Sequence, residues 1–121
     1  MRHIEQIVIH ASATAPSLDI GAEEIRVVHI NKGWSDIGYH YVIRRDGTLE
    51  TGRKVERQGA HVKHFNEYSI GICLIGGVDE KNKPDSNFTK RQLNCLFVLV
   101  DHLTIAHETK RVLGHRDFEG V

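Results

Sequence analysis

The stretch "SIGICLIGG" at residues 69–77 constrains the fold more than any other part of this 121-residue sequence. Its apolar residues follow one another almost without a break, whereas a half-exposed strand would alternate apolar with polar residues. Such a run is typical of a strand buried on both faces, as in a sheet that is covered by helices on either side. The sequence therefore predicts a central, fully buried strand here.

Patterns elsewhere predict the neighbours of this strand. Residues 5–10 and 110–115 are short and rich in β-branched or aliphatic residues, which favours strands. Residues 38–53 read as a β-hairpin, in which the Asp46-Gly47 pair is a signal for a two-residue turn. With one helix before the hairpin and one before the last strand, the order is β-α-β-β-β-α-β. This order predicts an α/β fold with a central mixed β-sheet flanked by helices, in a single domain over residues 1–121.

Two helices are predicted from their end signals and periodicity. The first is capped by Asp19 and runs to about Lys32, with Gly33 at the position just past its end. The second begins at Thr89, where the sequence Thr-Lys-Arg-Gln forms a capping box, and ends near His107. Apolar residues recur along the second helix at helical spacing and predict its buried face. They are Leu93, Leu96, Phe97, Val100 and Leu103.

Charge and composition exclude several classes of function. Lysine plus arginine and aspartate plus glutamate number 16 each, so the formal net charge is zero. Since domains that bind nucleic acid carry a basic excess or stripe, we expect no nucleic-acid partner. There is no membrane-spanning apolar run and no signal-peptide pattern, so we expect a cytoplasmic product without a membrane partner. Cys73 and Cys95 lie in apolar patterns and are expected to be buried or half-buried, not paired in a disulfide.

Two histidines stand at the ends of predicted strands. His10 closes the strand "IVIH" and His115 closes "VLGH". If these strands are neighbours in the sheet, their ends lie together, which is where sites form in open α/β sheets. Two imidazoles suit Zn²⁺. Because their separation along the chain carries no spacing signal, ordinary histidines at strand ends remain the alternative.

Three further residues are candidates for the same site. Tyr39, at the start of the hairpin, is either an aromatic on a pleated face or a phenol that donates a hydrogen bond to a developing oxyanion. His61, in the loop "GAHVKHFN", is placed to bind a polar ligand. Trp34 follows the first helix and is either part of the core or a platform for a ligand.

Four blocks in the same order resemble one known family. They are "IVIHASAT", "GWSDIGYHYVIRRDGTLETGR", "GAHVKHFNEYSIGICLIGG" and "VLGHRDF", and together they span essentially the whole chain. The sequence resembles the zinc-dependent N-acetylmuramoyl-L-alanine amidases, which include phage amidase lysozymes and peptidoglycan recognition proteins. The resemblance implies a mixed sheet with helices and one Zn²⁺ ion in a groove for peptidoglycan.

The resemblance also implies roles for individual residues. His10 and His115 match the first two zinc ligands, and Tyr39 matches the catalytic tyrosine. His61 matches a histidine on the wall of the substrate groove, and we place Trp34 beside it as a second substrate-binding residue. The implied reaction is hydrolysis of the amide between the lactyl group of N-acetylmuramic acid and L-alanine, by a zinc-activated water.

The family pattern places a third zinc ligand, a cysteine or carboxylate, and commonly a lysine after the second histidine. Neither matches a residue up to Val121, so we expect the third ligand beyond Val121 and a low zinc occupancy; Asp117 is the weaker alternative. The alternative function is a non-catalytic peptidoglycan-binding module of the same fold. In either case we expect a monomer. We expect it to act on the cell wall after lysis, or on imported fragments of the wall.

Overall fold

The chain folds into one five-stranded sheet with two helices, and the predicted order of the elements is confirmed. The structure is a computed structural model and describes residues 2–114. The strands are β1 (Gln6–Ala11), β2 (Tyr41–Ile43), β3 (Leu49–Thr51), β4 (Ser69–Leu74) and β5 (Arg111–Gly114). The helices are α1 (Ala22–Asn31) and α2 (Lys90–His107), with a short 3₁₀ turn at Asn66–Tyr68.

The sheet is mixed, and its strands lie in the order β3-β2-β4-β1-β5. Strand β1 pairs in parallel with both β4 and β5, and β2 pairs in parallel with β4 and antiparallel with β3. All six residues of β4 are buried, as its apolar run predicts. Because β2, β4, β1 and β5 run parallel to one another, their carboxyl ends lie at the same edge of the sheet.

The side chains of β4 divide the core into two clusters on opposite faces of the sheet. On one face Ile70, Ile72 and Leu74 belong to the same buried cluster as the inner residues of α2. On the other face Cys73 packs with residues of α1. This alternation follows from the two-residue period of a strand. The two helices therefore cover the two faces of the sheet, as the sequence predicts.

The start of α1 differs from the prediction. The helix is capped at Gly21, whose N–H donates to Glu24 Oε1 over 2.6 Å. The N–H of Ala22, the first residue of the helix, donates to Glu50 Oε1 of β3 over 2.8 Å. The predicted cap at Asp19 is wrong because Asp19 lies further upstream and accepts from Arg44 instead. A carboxylate from a distant strand thus replaces the local cap.

The hairpin also differs in its turn. The bond from Arg44 N–H to Thr48 O, over 2.9 Å, extends the β2–β3 pairing by one step. Three residues, 45–47, connect the ends of this extended hairpin, so the two-residue turn is wrong. Gly47 has a φ of 89°, which fits the common three-residue hairpin loop that ends in a left-handed glycine.

Helix α2 begins as predicted, but its buried face is rotated. Leu96, Leu99 and Leu103 are its buried leucines, whereas Phe97 is 67% exposed. The three leucines recur at i, i+3 and i+7 and form one stripe, from which Phe97 is turned by about 100°.

Within residues 2–114, the structure has no helix with the length and hydropathy that a membrane span requires.

Removal of the Thr89 hydroxyl should destabilise α2. Thr89 Oγ1 accepts from Gln92 N–H over 3.1 Å and donates to Arg45 O over 2.7 Å, so it fixes the helix start to the hairpin loop. We expect Thr89→Ala to lower the free energy of unfolding by about 1 kcal/mol. Urea unfolding followed by circular dichroism measures this. Thr89→Ser keeps the hydroxyl and should remain close to wild type; an equal loss in both variants would contradict the assignment.

Candidate active site

Three of the residues singled out in the sequence come together at the carboxyl end of β1. His10, the fifth residue of β1, is 7% exposed. Its Nε2 lies 2.8 Å from Nδ1 of His61, at hydrogen-bond distance. The ring of Tyr39 lies 5.2 Å from the His10 ring, centroid to centroid. Strand β1 therefore presents an imidazole to a second imidazole and a phenol, on the face of the sheet that α1 covers.

Tyr39 is held just before β2 by its neighbours in the chain. Gly38 N–H donates to Nδ1 of His29 over 2.9 Å, and His40 N–H donates to Gly71 O over 2.9 Å. Burial, with the adjacent Cys73 thiol as a smaller cause, raises the pKa of Tyr39 well above its ordinary value. The phenol therefore keeps its proton across the physiological pH range and remains a hydrogen-bond donor.

Cys73 is the residue of β4 that pairs with His10 across the sheet. Its side chain is fully buried, and burial raises the pKa of its thiol to about 12. A thiol with so high a pKa carries its proton near neutral pH and is a poor nucleophile, since the thiolate is the reactive form. The prediction of a buried, apolar cysteine is confirmed.

The loop that carries His61 is closely fitted to the sheet. The N–H groups of His61 and Val62 both donate to Asn66 Oδ1, over 2.9 and 2.8 Å. The imidazole packs on Gly71 of β4, where a Cβ atom would come within 2.5 Å of His61 Cγ. Because no larger residue leaves this space, Gly71 is required for the ring to reach His10.

Trp34 lies on the wall of a cleft beside these residues. Its ring is 4.5 Å from that of His29, and Lys32 Nζ lies 5.8 Å from its centroid. The side chain is 38% exposed, so it is not a core residue. The cleft has a volume of about 460 Å³, and Tyr39 and His61 also line it.

Two buried histidines of this region escaped assignment from the sequence. His29 of α1 accepts from Gly38 N–H, and burial, with Lys32 and Arg53 as smaller causes, lowers its pKa. His40 is 1% exposed; its Nδ1 accepts from Gly71 N–H over 3.0 Å, and its Nε2 donates to Arg57 O over 2.8 Å. No local signal in "GYHY" singles out His40, because its bonding partners, Gly71 and Arg57, are distant in sequence.

Burial holds His40 in its neutral form. Its pKa is lowered to about 4, against a weaker opposing effect of the bond to Arg57 O. A ring whose Nδ1 accepts and whose Nε2 donates is a single fixed tautomer. His40 thus joins the hairpin, β4 and the loop of His61 without carrying charge at neutral pH.

The second candidate zinc ligand, His115, lies outside the described residues, as does Asp117. The described chain ends at Gly114, which pairs with Ile9 of β1. Within residues 2–114, no group of three histidine, cysteine, aspartate or glutamate side chains is placed to hold a metal ion.

The cleft is lined by the imidazoles of His29 and His61 and by the protonated phenol of Tyr39, and His10 lies beside it at the carboxyl end of β1. Such groups are used by hydrolases for proton transfer and oxyanion stabilisation. Comparison with known proteins specifies the class. The family model described as N-acetylmuramoyl-L-alanine amidase matches residues 1–120. The chain belongs to this amidase family, and the fold and the hydrolytic amidase function expected from the sequence are both confirmed.

Individual relatives agree with this assignment. The chain is 45% identical over 112 residues to an endolysin of Klebsiella phage KP32, which covers 93% of this chain and 74% of the phage protein. It is similar to the structure of the N-acetylmuramoyl-L-alanine amidase LysC from Clostridium intestinale, with a TM-score of 0.87 and 28% identity, covering 99% and 75% of the two chains. It is also similar to a chain in the structure of tracheal cytotoxin bound to peptidoglycan recognition proteins LCa and LCx, with a TM-score of 0.76 and 27% identity, covering 99% of this chain and 74% of that chain.

Acid should destabilise the protein through His40. In the unfolded chain an imidazole takes up a proton below a pKa of about 6.5, whereas the folded His40 does so only near pH 4. Its contribution to stability is therefore complete above pH 6.5 and is lost as the pH falls towards 4, by up to about 3 kcal/mol.

Urea unfolding at pH 7.5 and at pH 4.5 measures this contribution. The loss of stability between the two pH values should be smaller in His40→Gln than in the wild type. His102→Gln, which changes an exposed histidine of α2, should keep the wild-type difference. Equal pH dependence in all three proteins would show that His40 does not titrate in this way.

Proposed function

We propose that the protein hydrolyses the amide between the lactyl group of N-acetylmuramic acid and the L-alanine of the stem peptide in peptidoglycan. In this proposal Tyr39 is the catalytic residue, His61 and Trp34 bind the substrate, and His10 and His115 are zinc ligands. The observation that carries it is the proximity of His10 to Tyr39 and His61, which line the cleft, in a chain of the amidase family.

The zinc assignment is supported by the register of the sheet. Ile9 of β1 pairs with Gly114 of β5, and the next residue in each segment is a histidine, His10 and His115. Imidazole nitrogen is a preferred zinc ligand, so the donor chemistry fits. A zinc ion held by these residues would supply a Lewis acid for the amide carbonyl and activate the attacking water. The third ligand, expected beyond Val121, stays a prediction.

Tyr39 has the chemistry of an oxyanion donor. Its raised pKa keeps the phenol protonated, and its ring stands beside His10 and on the wall of the cleft. When the amide carbonyl carbon becomes tetrahedral, its oxygen gains negative charge, and a fixed O–H donor stabilises that charge more than the ground-state carbonyl. We therefore propose that Tyr39 stabilises the transition state and does not only bind the substrate.

The cleft itself suits a muropeptide. His29, Trp34 and Tyr39 line it with aromatic surface, and Lys32 and Lys63 lie on the same walls. Aromatic faces pack against sugar rings and peptide groups, and ammonium groups attract the carboxylates of a stem peptide. His61 stands between these walls and His10, where the lactyl–alanine amide would reach the reacting groups.

Removal of the Tyr39 hydroxyl should lower turnover. The protein is incubated with zinc and a muropeptide, and free stem peptide is measured by chromatography. We expect Tyr39→Phe to reduce kcat about 100-fold with a smaller change in KM, because loss of one oxyanion donor costs about 3 kcal/mol. Tyr41→Phe removes a phenol that lines a different cleft and should keep wild-type turnover.

The same assay separates the amidase from a binding module. Wild-type protein that retains muropeptide but releases no stem peptide would support the non-catalytic alternative, which the similarity to peptidoglycan recognition proteins favours. Wild-type turnover in Tyr39→Phe would remove Tyr39 from the mechanism while leaving the amidase reaction in place.

Replacement of His10 should lower the zinc content of the protein. After equilibration with zinc and dialysis, the metal content is measured by mass spectrometry. We expect His10→Ala to lose the bound metal, since affinity depends on a complete set of ligands. His61→Ala and the exposed-residue control His102→Ala should retain as much zinc as the wild type. Equal zinc in the wild type and His10→Ala would show that His10 is not a ligand.

A further inference from the structure

The guanidinium group of Arg2 joins the two ends of the loop that carries His61. At the start of this loop, Val55 O accepts from Arg2 Nε over 3.0 Å and from Nη2 over 2.8 Å. At its end, Asn66 O and Glu67 O accept from Nη1 over 3.2 and 3.0 Å. Ser69 O, at the first residue of β4, accepts from Nη2 over 3.2 Å.

These contacts use Arg2 as a bridge between backbone groups. Among residues 2–114, no carboxylate lies within ion-pair distance of its guanidinium. Carbonyl oxygens from four residues accept from it instead. Arginine suits this arrangement because its five N–H groups form a rigid planar fork, whereas lysine offers three donors at one nitrogen. The contacts therefore depend on the shape of the side chain as well as on its charge.

The bridge connects directly to the backbone of His61. The main-chain oxygen of Asn66 accepts from Arg2, and its side-chain oxygen accepts from the N–H groups of His61 and Val62. His40 lies between Arg2 and this loop: Arg2 Nη2 is 3.3 Å from His40 Nε2, and the His40 ring is 5.7 Å from the His61 ring. A shift of the guanidinium would thus move Asn66, and Asn66 sets the position of His61.

The loop that carries His61 contains no β-strand between Val55 and Asn66, so the ladder of the sheet does not fix its course. Its main-chain bonds include local turns, such as Phe65 N–H to Val62 O over 3.0 Å, and the bond from Ala60 N–H to Gly38 O over 3.0 Å. Arg53 holds the near side through Gln58 O over 2.8 Å and Ile37 O over 3.0 Å. Arg2 is the side chain that ties the first and last residues of the loop to each other. Fixing the ends of a loop reduces the conformations open to the residues between them.

We infer that Arg2 is a positioning residue of the amidase, which holds His61 against the cleft by clasping both ends of the loop 55–67. The inference rests on the proposed role of His61 in substrate binding. The amino-terminal segment thereby affects the active site from a distance. Arg2 itself lies in a different cleft, which Tyr41 and His102 also line.

The test replaces Arg2 by glutamine and measures loop dynamics and kinetics together. Hydrogen–deuterium exchange of the amides at 57–65 should accelerate in Arg2→Gln, while the amides of β1 and β4 keep their protection. KM for a muropeptide should rise about 10-fold with little change in kcat, because the free enzyme must then order the loop on binding. Arg44→Gln removes an arginine that pairs with Asp19 and should change neither measurement.

A double-mutant cycle with His61→Ala shows whether Arg2 acts through His61. Arg2→Gln should raise KM in the wild-type background and have no further effect in His61→Ala. An equal rise in both backgrounds, or unchanged exchange of the loop in Arg2→Gln, would overturn the inference. Wild-type KM and exchange in Arg2→Lys would overturn the part assigned to the planar fork.

The same experiment distinguishes failure of the inference from failure of the proposed function. If His61→Ala leaves KM unchanged, the proposed role of His61 in binding is wrong. The clasp is then judged by exchange alone: faster exchange of the loop in Arg2→Gln supports it, and unchanged exchange overturns it. Global unfolding of Arg2→Gln would appear as lost protection in β1 and β4, and would overturn a role confined to the loop.

Discussion

The parallel pairing of β1 with its two neighbours is the constraint on which the rest of the structure depends. It places His10 opposite Cys73 of β4 and sets Ile9 beside Gly114 of β5. The period of the strands then decides which side chains share a face, so that His10 and Gly71 both lie under the loop of His61. A shift of one residue in the register of β1 would turn His10 to the face that α2 covers, and the site would not form.

Buried neutral groups, more than ion pairs, hold the site in shape. His29 and His40 each accept a backbone N–H through Nδ1, and burial lowers the pKa of both. Tyr39 and Cys73 keep their protons for the same physical reason with the opposite sign, since burial raises the pKa of an acid. The ion pairs found among the described residues include exposed side chains such as Asp19 and Glu23, where pairs contribute little.

Close approach of backbone to side chain gives the cleft its form. The His61 ring rests on Gly71, and a Cβ at Gly38 would collide with Ala60 O. These glycines let the loop of His61 descend onto the sheet, and Asn66 and Arg2 hold it there. His10 is therefore carried by a rigid strand, whereas His61 is carried by a loop that side chains hold at both of its ends.

Local patterns determined the order of elements, the buried β4 strand and the capping box of Thr89, because each depends on residues near one another in sequence. The histidine and tyrosine candidates were also visible in the sequence, through their places at element ends and through resemblance to a family. Only the tertiary structure decided that Glu50 and not Asp19 serves the start of α1, and that Leu99 and not Phe97 faces the core. The contact of His10 with His61 and the bridge formed by Arg2 likewise join residues 51 to 67 positions apart, and the buried His40 accepts from Gly71, 31 positions away. Their partners are set by strand register and loop path, which no local pattern of residues encodes.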